Sequence, residues 1–105
     1  MTKDQIVHLC ERYAETFRQV LRGYGTQGPA RLSDEDLANK PVRLPTAHRF
    51  AHYWWMCLQI EGFIEEGKSD KAMRWLGFLQ GVLFSEVNYS IDDLKDDNRT
   101  LDEML

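Results

Sequence analysis

The sequence predicts an all-α fold built on an antiparallel helical hairpin. Apolar residues recur at intervals of three and four along three long stretches, which is the period of a helix with one buried face. Glycine, proline and helix-capping residues separate these stretches. No segment alternates between polar and apolar residues as a half-buried strand does. With 105 residues, of which 43% are hydrophobic, the chain has the size and composition of a single globular domain, 1–105.

The first predicted helix covers residues 3–22, and the glycines at 23 and 25 end it. Its apolar residues share one face and are expected to enter the core: Ile6, Leu9, Cys10, Tyr13, Phe17, Val20, Leu21 and Tyr24. An amphipathic helix of this kind gains most of its stability by packing that face against the rest of the domain.

A long connection, 23–45, follows the first helix. Ser33 precedes three acidic residues and is the predicted N-cap of a short helix near 34–39, which Pro41 cannot continue. Connections of this length within a small domain are either functional or mobile.

Two predicted helices, about 46–66 and 70–87, form the hairpin. Very few residues join them, so the helices must fold back on each other. Thr46 is the predicted N-cap of the first helix, Gly67 ends it, and Ser69 is the predicted N-cap of the second. The first helix is apolar almost all round near its middle, which is typical of a core or interface helix.

Two glycines inside the second hairpin helix predict a close neighbour. A glycine in a helix interior costs about 0.8–1.0 kcal/mol relative to alanine, so Gly77 and Gly81 indicate that a backbone or a bulky ring packs against them. That neighbour is either the partner helix of the hairpin, with Trp54 or Trp55 filling the groove, or a second copy of the chain.

Three tryptophans add to this expectation, because one small domain has little room to hide so many rings. We therefore predict a homo-oligomer. The candidate interface residues are Trp54, Trp55, Trp75, Gly77 and Gly81.

The last predicted helix lies near 91–98. Ser90 and Asp93 are spaced as a capping-box-like pair at its start. Beyond residue 99 the chain is expected to fray.

Charge is distributed unevenly along the chain. Residues 1–52 carry a net +2 (eight Lys and Arg against six Asp and Glu), and residues 53–105 carry −6 (five against eleven), which together give −4. A chain without a concentrated basic face is a poor candidate for general DNA coating. The acidic C-terminal segment is typical of a solvated helix face, and it also suits a basic partner.

Six basic residues in and beside the long connection form a candidate anion site. With the N-terminus of the helix that begins near 46, they are placed in sequence to hold a phosphate or a nucleotide. They are Arg22, Arg31, Lys40, Arg43, His48 and Arg49. A solvated basic rim is the alternative interpretation.

Other candidates for chemistry carry weak signals. His48 and His52 have the i, i+4 spacing of two metal ligands, but Arg49 follows the first and no acid or cysteine completes the set. Cys10 and Cys57 lie in apolar runs, which is typical of buried thiols. We therefore predict no metal site, no cofactor and no enzymatic activity.

The expected location is the cytoplasm, away from membranes. No hydrophobic leader opens the chain, and its longest apolar stretch, 53–58, is far shorter than the roughly 20 residues that span a bilayer.

Three segments, 52–57, 71–83 and 90–95, carry a resemblance to a known group of proteins. They resemble small, mostly uncharacterised proteins encoded by tailed bacteriophages and prophages, and the Arg-Trp-Leu-Gly-Phe run at 74–78 is the most specific part. The resemblance covers roughly 45–99 and supplies no catalytic residues. It implies a phage accessory protein acting inside a bacterial host.

These observations leave three main hypotheses for the function. The first is a non-catalytic phage protein that binds and modulates a host protein, for example a defence component. The second is an oligomeric binder of a small phosphorylated ligand such as a nucleotide. The third is a nucleic-acid-associated regulatory or replication factor, although nucleic acid is the least expected of the three kinds of partner. A fourth hypothesis, a small hydrolase, has the weakest support.

Overall fold

A computed structural model describes residues 2–25, 28–40 and 43–103 of the chain. The predicted all-α fold is confirmed, and the described residues contain no strand. The helices are α1 (Lys3–Arg22), α2 (Asp34–Leu37), α3 (Thr46–Glu65), α4 (Ser69–Glu86) and α5 (Ile91–Glu103).

Helix α3 lies at the centre of the fold, with α1 and α4 packed against it. Phe17 of α1 contacts Phe50 near the start of α3, at 5.8 Å between ring centroids, and Cys10, earlier in α1, lies close to Cys57, later in α3. These paired positions run in opposite directions, so α1 is antiparallel to α3.

The predicted hairpin of α3 and α4 is also antiparallel. Arg49 near the start of α3 pairs with Glu86 at the end of α4, whereas Phe63 near the end of α3 packs edge-on against Trp75 at a centroid distance of 4.8 Å. Gly67 has a φ of +77° and ends α3 in the left-handed conformation that favours glycine.

Helix α5 closes the bundle across α1 and α4 through polar contacts. The Tyr13 hydroxyl donates to Asp97 at 2.7 Å, and the Gln80 amide donates to Asn98 at 2.9 Å. The predicted Ser90–Asp93 pair is present in both directions, since each backbone N–H donates to the other side chain at 2.9 Å.

The core is formed by the apolar faces of α1, α3 and α4. Its largest side chains with less than 2% of their surface exposed are Cys10, Tyr13, Phe17, Leu21, Cys57, Ile60, Leu76, Leu79 and Leu83. Tyr24 was predicted to join this core, but it is 55% exposed because α1 ends at Arg22 and the following residue turns away from the buried face.

Helix caps differ from the sequence prediction at two places. Neither Thr46 nor Ser69 is an N-cap: each is the first residue of its helix, and Pro45 and Lys68 precede them without a side-chain cap. The predicted cap at Ser33 is confirmed, since its Oγ accepts from the Asp36 backbone N–H at 3.1 Å.

An unpredicted capping box starts α1. The Gln5 backbone N–H donates to Thr2 Oγ1 at 3.2 Å, while the Thr2 backbone N–H donates to the Gln5 side chain at 2.9 Å. The Thr-x-x-Gln spacing at positions 2–5 carries that signal in the sequence.

Helix ends also differ from the prediction. Helix α2 is one turn long, and α5 continues to Glu103, five residues past the predicted 98. The proposed stop at Pro41 and the last two residues of the chain lie outside the described residues.

Candidate functional site

A small pocket opens between α2, α3 and α4, with a volume of about 180 Å³. Its walls are mainly apolar, and a few polar groups sit among them. The lining residues are Leu32, Asp36, Leu37, Asn39, Leu44, Arg49, His52, Tyr53 and Phe78. We refer to it as the α2–α4 pocket. Phe78 is 53% exposed and Leu37 is 46% exposed, so the pocket has an apolar surface open to solvent.

Residues 30–32, which we call the strap, position one wall of this pocket. The Ala30 backbone N–H donates to the Ala51 carbonyl at 3.1 Å, and the Leu32 backbone N–H donates to His52 Nδ1 at 3.0 Å. Leu32 is 9% exposed and lies in the wall. Since Ser33 then caps α2, these bonds to α3 also fix where Leu37 lies.

A polar cluster fixes the side chains of α3 that line the pocket. Arg49 forms an ion pair with Glu86, whose second carboxylate oxygen accepts from the Tyr53 hydroxyl at 3.1 Å. Burial, followed by the Glu86 charge, raises the pKa of Tyr53. The hydroxyl therefore stays protonated as a donor. Arg49 Nε is buried and has no hydrogen-bond partner among the described residues, although both terminal nitrogens of the guanidinium are engaged.

An aromatic strip continues from the pocket along α3 and α4. It consists of His52, Trp55, Trp75 and Phe63, with Lys71 at its end. His52 stacks on Trp55 at a centroid distance of 5.3 Å, and Trp55 meets Trp75 at 5.9 Å. The Lys71 ammonium lies 4.6 Å from the Phe63 ring centroid, a cation–π contact that places positive charge beside the rings. The rings of the strip are partly buried.

The structure distributes the predicted interface residues over different surfaces. Trp55 and Trp75 meet in the strip, and all three tryptophans are partly buried against the core. Gly77 and Gly81 are exposed, and beyond its own stretch of helix a Cβ placed on either would meet no atom of the described residues within 4 Å. The predicted close packing of the hairpin, or of a tryptophan ring, on these glycines is wrong. Helix α4 turns its buried side, with Leu76 and Leu79, toward the core instead.

The six basic residues of the predicted anion site do not form one cluster. Arg31 and His48 line a second cavity of about 270 Å³, together with Asp36. Arg31 is already paired with Asp34 at 3.0 Å, and Arg49, in the neighbouring pocket, is paired with Glu86. The remaining three, which line neither cavity, are exposed: Arg22, Lys40 and Arg43.

The structure places His52 in a hydrogen bond to the backbone and both cysteines in the core. His52 uses Nδ1 to accept from the Leu32 amide, while His48 is exposed. Burial raises the pKa of the Cys10 thiol to about 12, and burial also raises the pKa of Cys57. At neutral pH both groups are therefore thiols rather than nucleophilic thiolates. Within residues 2–25, 28–40 and 43–103, no group of three or more His, Cys, Asp or Glu is arranged to hold a metal.

Sequence reasoning missed the pocket itself. Phe78 lies more than half exposed beside Tyr53, at a centroid distance of 6.1 Å. One signal was present: the interval from Leu76 to Phe78 is two residues, which places the two side chains about 200° apart on a helix.

Comparisons with protein-family models, with curated proteins and with solved structures found no match to this chain. Among the helices that the structure describes, none is long and apolar enough to cross a membrane.

Proposed function

We propose that this chain is a non-catalytic protein-binding module whose α2–α4 pocket receives one apolar anchor side chain of a partner protein. The observation that carries the proposal is the open pocket with Phe78 and Leu37 exposed in its wall. Exposed large apolar side chains grouped beside a concavity are typical of binding surfaces rather than of inert surface.

The size of the pocket favours a single side chain over a whole small molecule. Pockets for drug-sized ligands have volumes of about 300–1,000 Å³, whereas this one has about 180 Å³. A nucleotide is therefore too large for it. An aliphatic or aromatic residue of a protein partner suits a pocket of this size, and such buried anchors carry much of the energy of protein interfaces.

The aromatic strip supplies the surface around that anchor. Trp55 and Trp75 keep part of their surface exposed, and tryptophan is enriched at the energetic centres of interfaces. Because His52 belongs to both the pocket and the strip, a partner that fills the pocket also covers the nearer end of the strip.

A bacterial host protein is the proposed partner class, and the resemblance to phage proteins supports it. Binding in the host cytoplasm would alter that protein without a chemical step. The binder of a phosphorylated ligand is the second candidate, and the cavity beside Arg31 and His48 favours it. That site has Asp34 paired with Arg31 and Asp36 in its lining, which oppose an added anion.

The test places a photo-crosslinking amino acid at position 78 in bacterial cells that make the chain. Tyr24 is the matched control, since it is a similarly exposed aromatic residue (55% against 53%) away from the pocket. We expect a discrete heteromeric product from position 78 and none from position 24.

A competition variant completes the test. Phe78→Ser should abolish co-purification of the crosslinked partner with the chain, and Tyr24→Ser should retain it, while both variants unfold at similar denaturant concentrations. Equal crosslinking at the two positions, or undiminished co-purification of the Phe78→Ser variant, would contradict the proposal. Stabilisation by a nucleotide in place of a protein partner would favour the second candidate.

A further inference from the structure

One side chain connects the strap, the α2–α4 pocket and the aromatic strip. His52 Nδ1 accepts from the Leu32 backbone N–H at 3.0 Å, and the imidazole stacks on Trp55 with an interplanar angle of 25°. Leu32 and His52 both line the pocket. The bond spans 20 residues of sequence, so it fastens a connecting segment to the central helix.

We propose that His52 is a proton-sensitive latch that holds the strap on α3, and that protonation of its imidazole releases the strap and dismantles the wall of the α2–α4 pocket. The chemistry of the ring requires this sensitivity. A neutral imidazole that accepts at Nδ1 carries its proton on Nε2. Protonation turns Nδ1 into a second donor, which then faces the Leu32 N–H donor and can no longer bond to it.

The surroundings of the ring favour the neutral, latched form. Burial, followed by the positive charge of Arg31, lowers the pKa of His52 below its ordinary value of 6.5. The charged and titratable groups near the ring come from the strap, from α2, from α3 itself and from α4: Arg31, Asp36, His48 and Arg49, with Glu86 paired to Arg49. Asp36 is the acidic residue in the described lining of the pocket, and the Arg31 charge is shared with its ion-pair partner Asp34.

Among the described residues, few other contacts hold the strap on α3. Ala30 adds one backbone bond to Ala51, and the Leu32 side chain adds apolar burial. Segments fastened by few buried contacts open locally at a lower free energy than the core does. Loss of the His52 bond therefore removes a large share of the restraint on residues 30–32.

The direction of the pH effect follows from the hydrogen bond, because the Leu32 N–H can bond only to the neutral ring. The released ring has an ordinary pKa, so the released form binds a proton more readily than the latched form. Stability of the latched form is fully present above about pH 6.5 and is lost as the pH falls toward the folded-state pKa. Opening should increase as the pH falls through that window, by at most about tenfold per pH unit for a single proton.

Amide hydrogen exchange, measured by NMR on the full chain, tests the latch without a partner. The protection factor of the Leu32 amide, corrected for the intrinsic pH dependence of exchange, should fall as the pH drops below about 6.5. The Ala30 amide should lose protection with it, because the two bonds hold one segment. Core amides such as that of Leu79 should not change over the same range.

Two substitutions of His52 distinguish the role of its hydrogen-bond acceptor from the role of its aromatic ring. His52→Asn offers a side-chain oxygen near the position of Nδ1 and does not titrate, so protection of Leu32 should become independent of pH. His52→Phe keeps an aromatic ring for Trp55 but removes the acceptor, so Leu32 should be unprotected at every pH. His48→Asn, an exposed control one turn away, should keep the wild-type pH profile.

A wild-type protection factor for Leu32 that is unchanged by pH would overturn the latch, and so would a His48→Asn variant that loses the pH dependence. Both of these tests can be read even if the His52→Phe variant does not fold. The effect on binding rests on the proposed function and is read separately, as loss of crosslinking from position 78 at acid pH. If hydrogen exchange shows that the strap opens at acid pH but no partner crosslinks to position 78, the proposed function is refuted and the latch is not.

Discussion

Arg49 near the start of α3 and Glu86 at the end of α4 form an ion pair across the open end of the hairpin. The two side chains keep only 16% and 26% of their surface exposed, and Tyr53 donates to the same carboxylate. This arrangement joins the termini of two helices at the edge of the proposed binding pocket, so its loss should affect both stability and the pocket.

Glu86→Ala should therefore destabilise the fold by about 1–3 kcal/mol, because it leaves a half-buried guanidinium and a buried hydroxyl without their acceptor. Urea unfolding measures the change. Glu15→Ala is the control, since Glu15 pairs with Arg18 on the exposed surface of one helix and such pairs contribute little. Equal effects of the two substitutions would show that the pair across the hairpin has no special role.

The contact between Tyr13 and Asp97 should hold α5 in place. Tyr13→Phe removes one hydroxyl that donates to Asp97 and accepts from Gln80, which should cost about 1 kcal/mol. Hydrogen exchange of the α5 amides should increase more than that of the α3 amides. Asp92→Ala, an exposed position on α5, should leave the exchange of α1 and α4 unchanged. Uniform acceleration in all helices would contradict a local role.

The exposed glycines of α4 provide a test of self-association. Since a Cβ at Gly77 or Gly81 meets open space, alanine at either position should stabilise the monomer by about 0.5–1 kcal/mol through helix propensity. Gly67→Ala is the opposite control, because its φ of +77° strains any side chain, and it should destabilise. If the wild-type protein is a monomer, light scattering should give the same molar mass for the wild type and for both alanine variants. A fall in mass would instead indicate that a second copy packs on this surface.

Thiol reactivity reports on the core. Because burial raises the pKa of Cys10 from 9.0 to about 12, and raises that of Cys57 as well, neither thiol should react with Ellman's reagent in the folded protein at about pH 8. Both should react in concentrated denaturant. Because the thiols of the unfolded chain ionise at their ordinary pKa, the free energy of unfolding should be full below that pKa and should fall as the pH rises through the higher folded-state pKa. Rapid labelling at neutral pH would contradict the buried placement.

The local features of the helices were largely predictable. The three- and four-residue intervals located α1, α3 and α4, Gly67 ended α3, and the Ser33 and Ser90 caps formed as expected. The caps predicted at Thr46 and Ser69 failed, because the helices extend through these residues and the backbone before them is not positioned to use their hydroxyls.

The candidate site was less predictable than the helices. Trp55 and Trp75 were predicted as interface residues, which stays a prediction; the strip also contains His52 and Phe63, and the pocket is lined by Leu37 and Phe78. The predicted anion residues Arg31 and Arg49 both have carboxylate partners: Asp34 is only three residues from Arg31, whereas Glu86 is 37 residues from Arg49 and could not be paired with it from the sequence.

Hydrophobic periodicity, glycine stops and capping residues determined the all-α class and most helix bounds, because these depend on neighbours within about one turn of the chain. Tertiary packing alone decided which side of α4 stays open, how residues 30–32 lie on α3, and that Leu32 bonds to His52. Such contacts join residues far apart in sequence, and their geometry depends on how the helices dock as a whole.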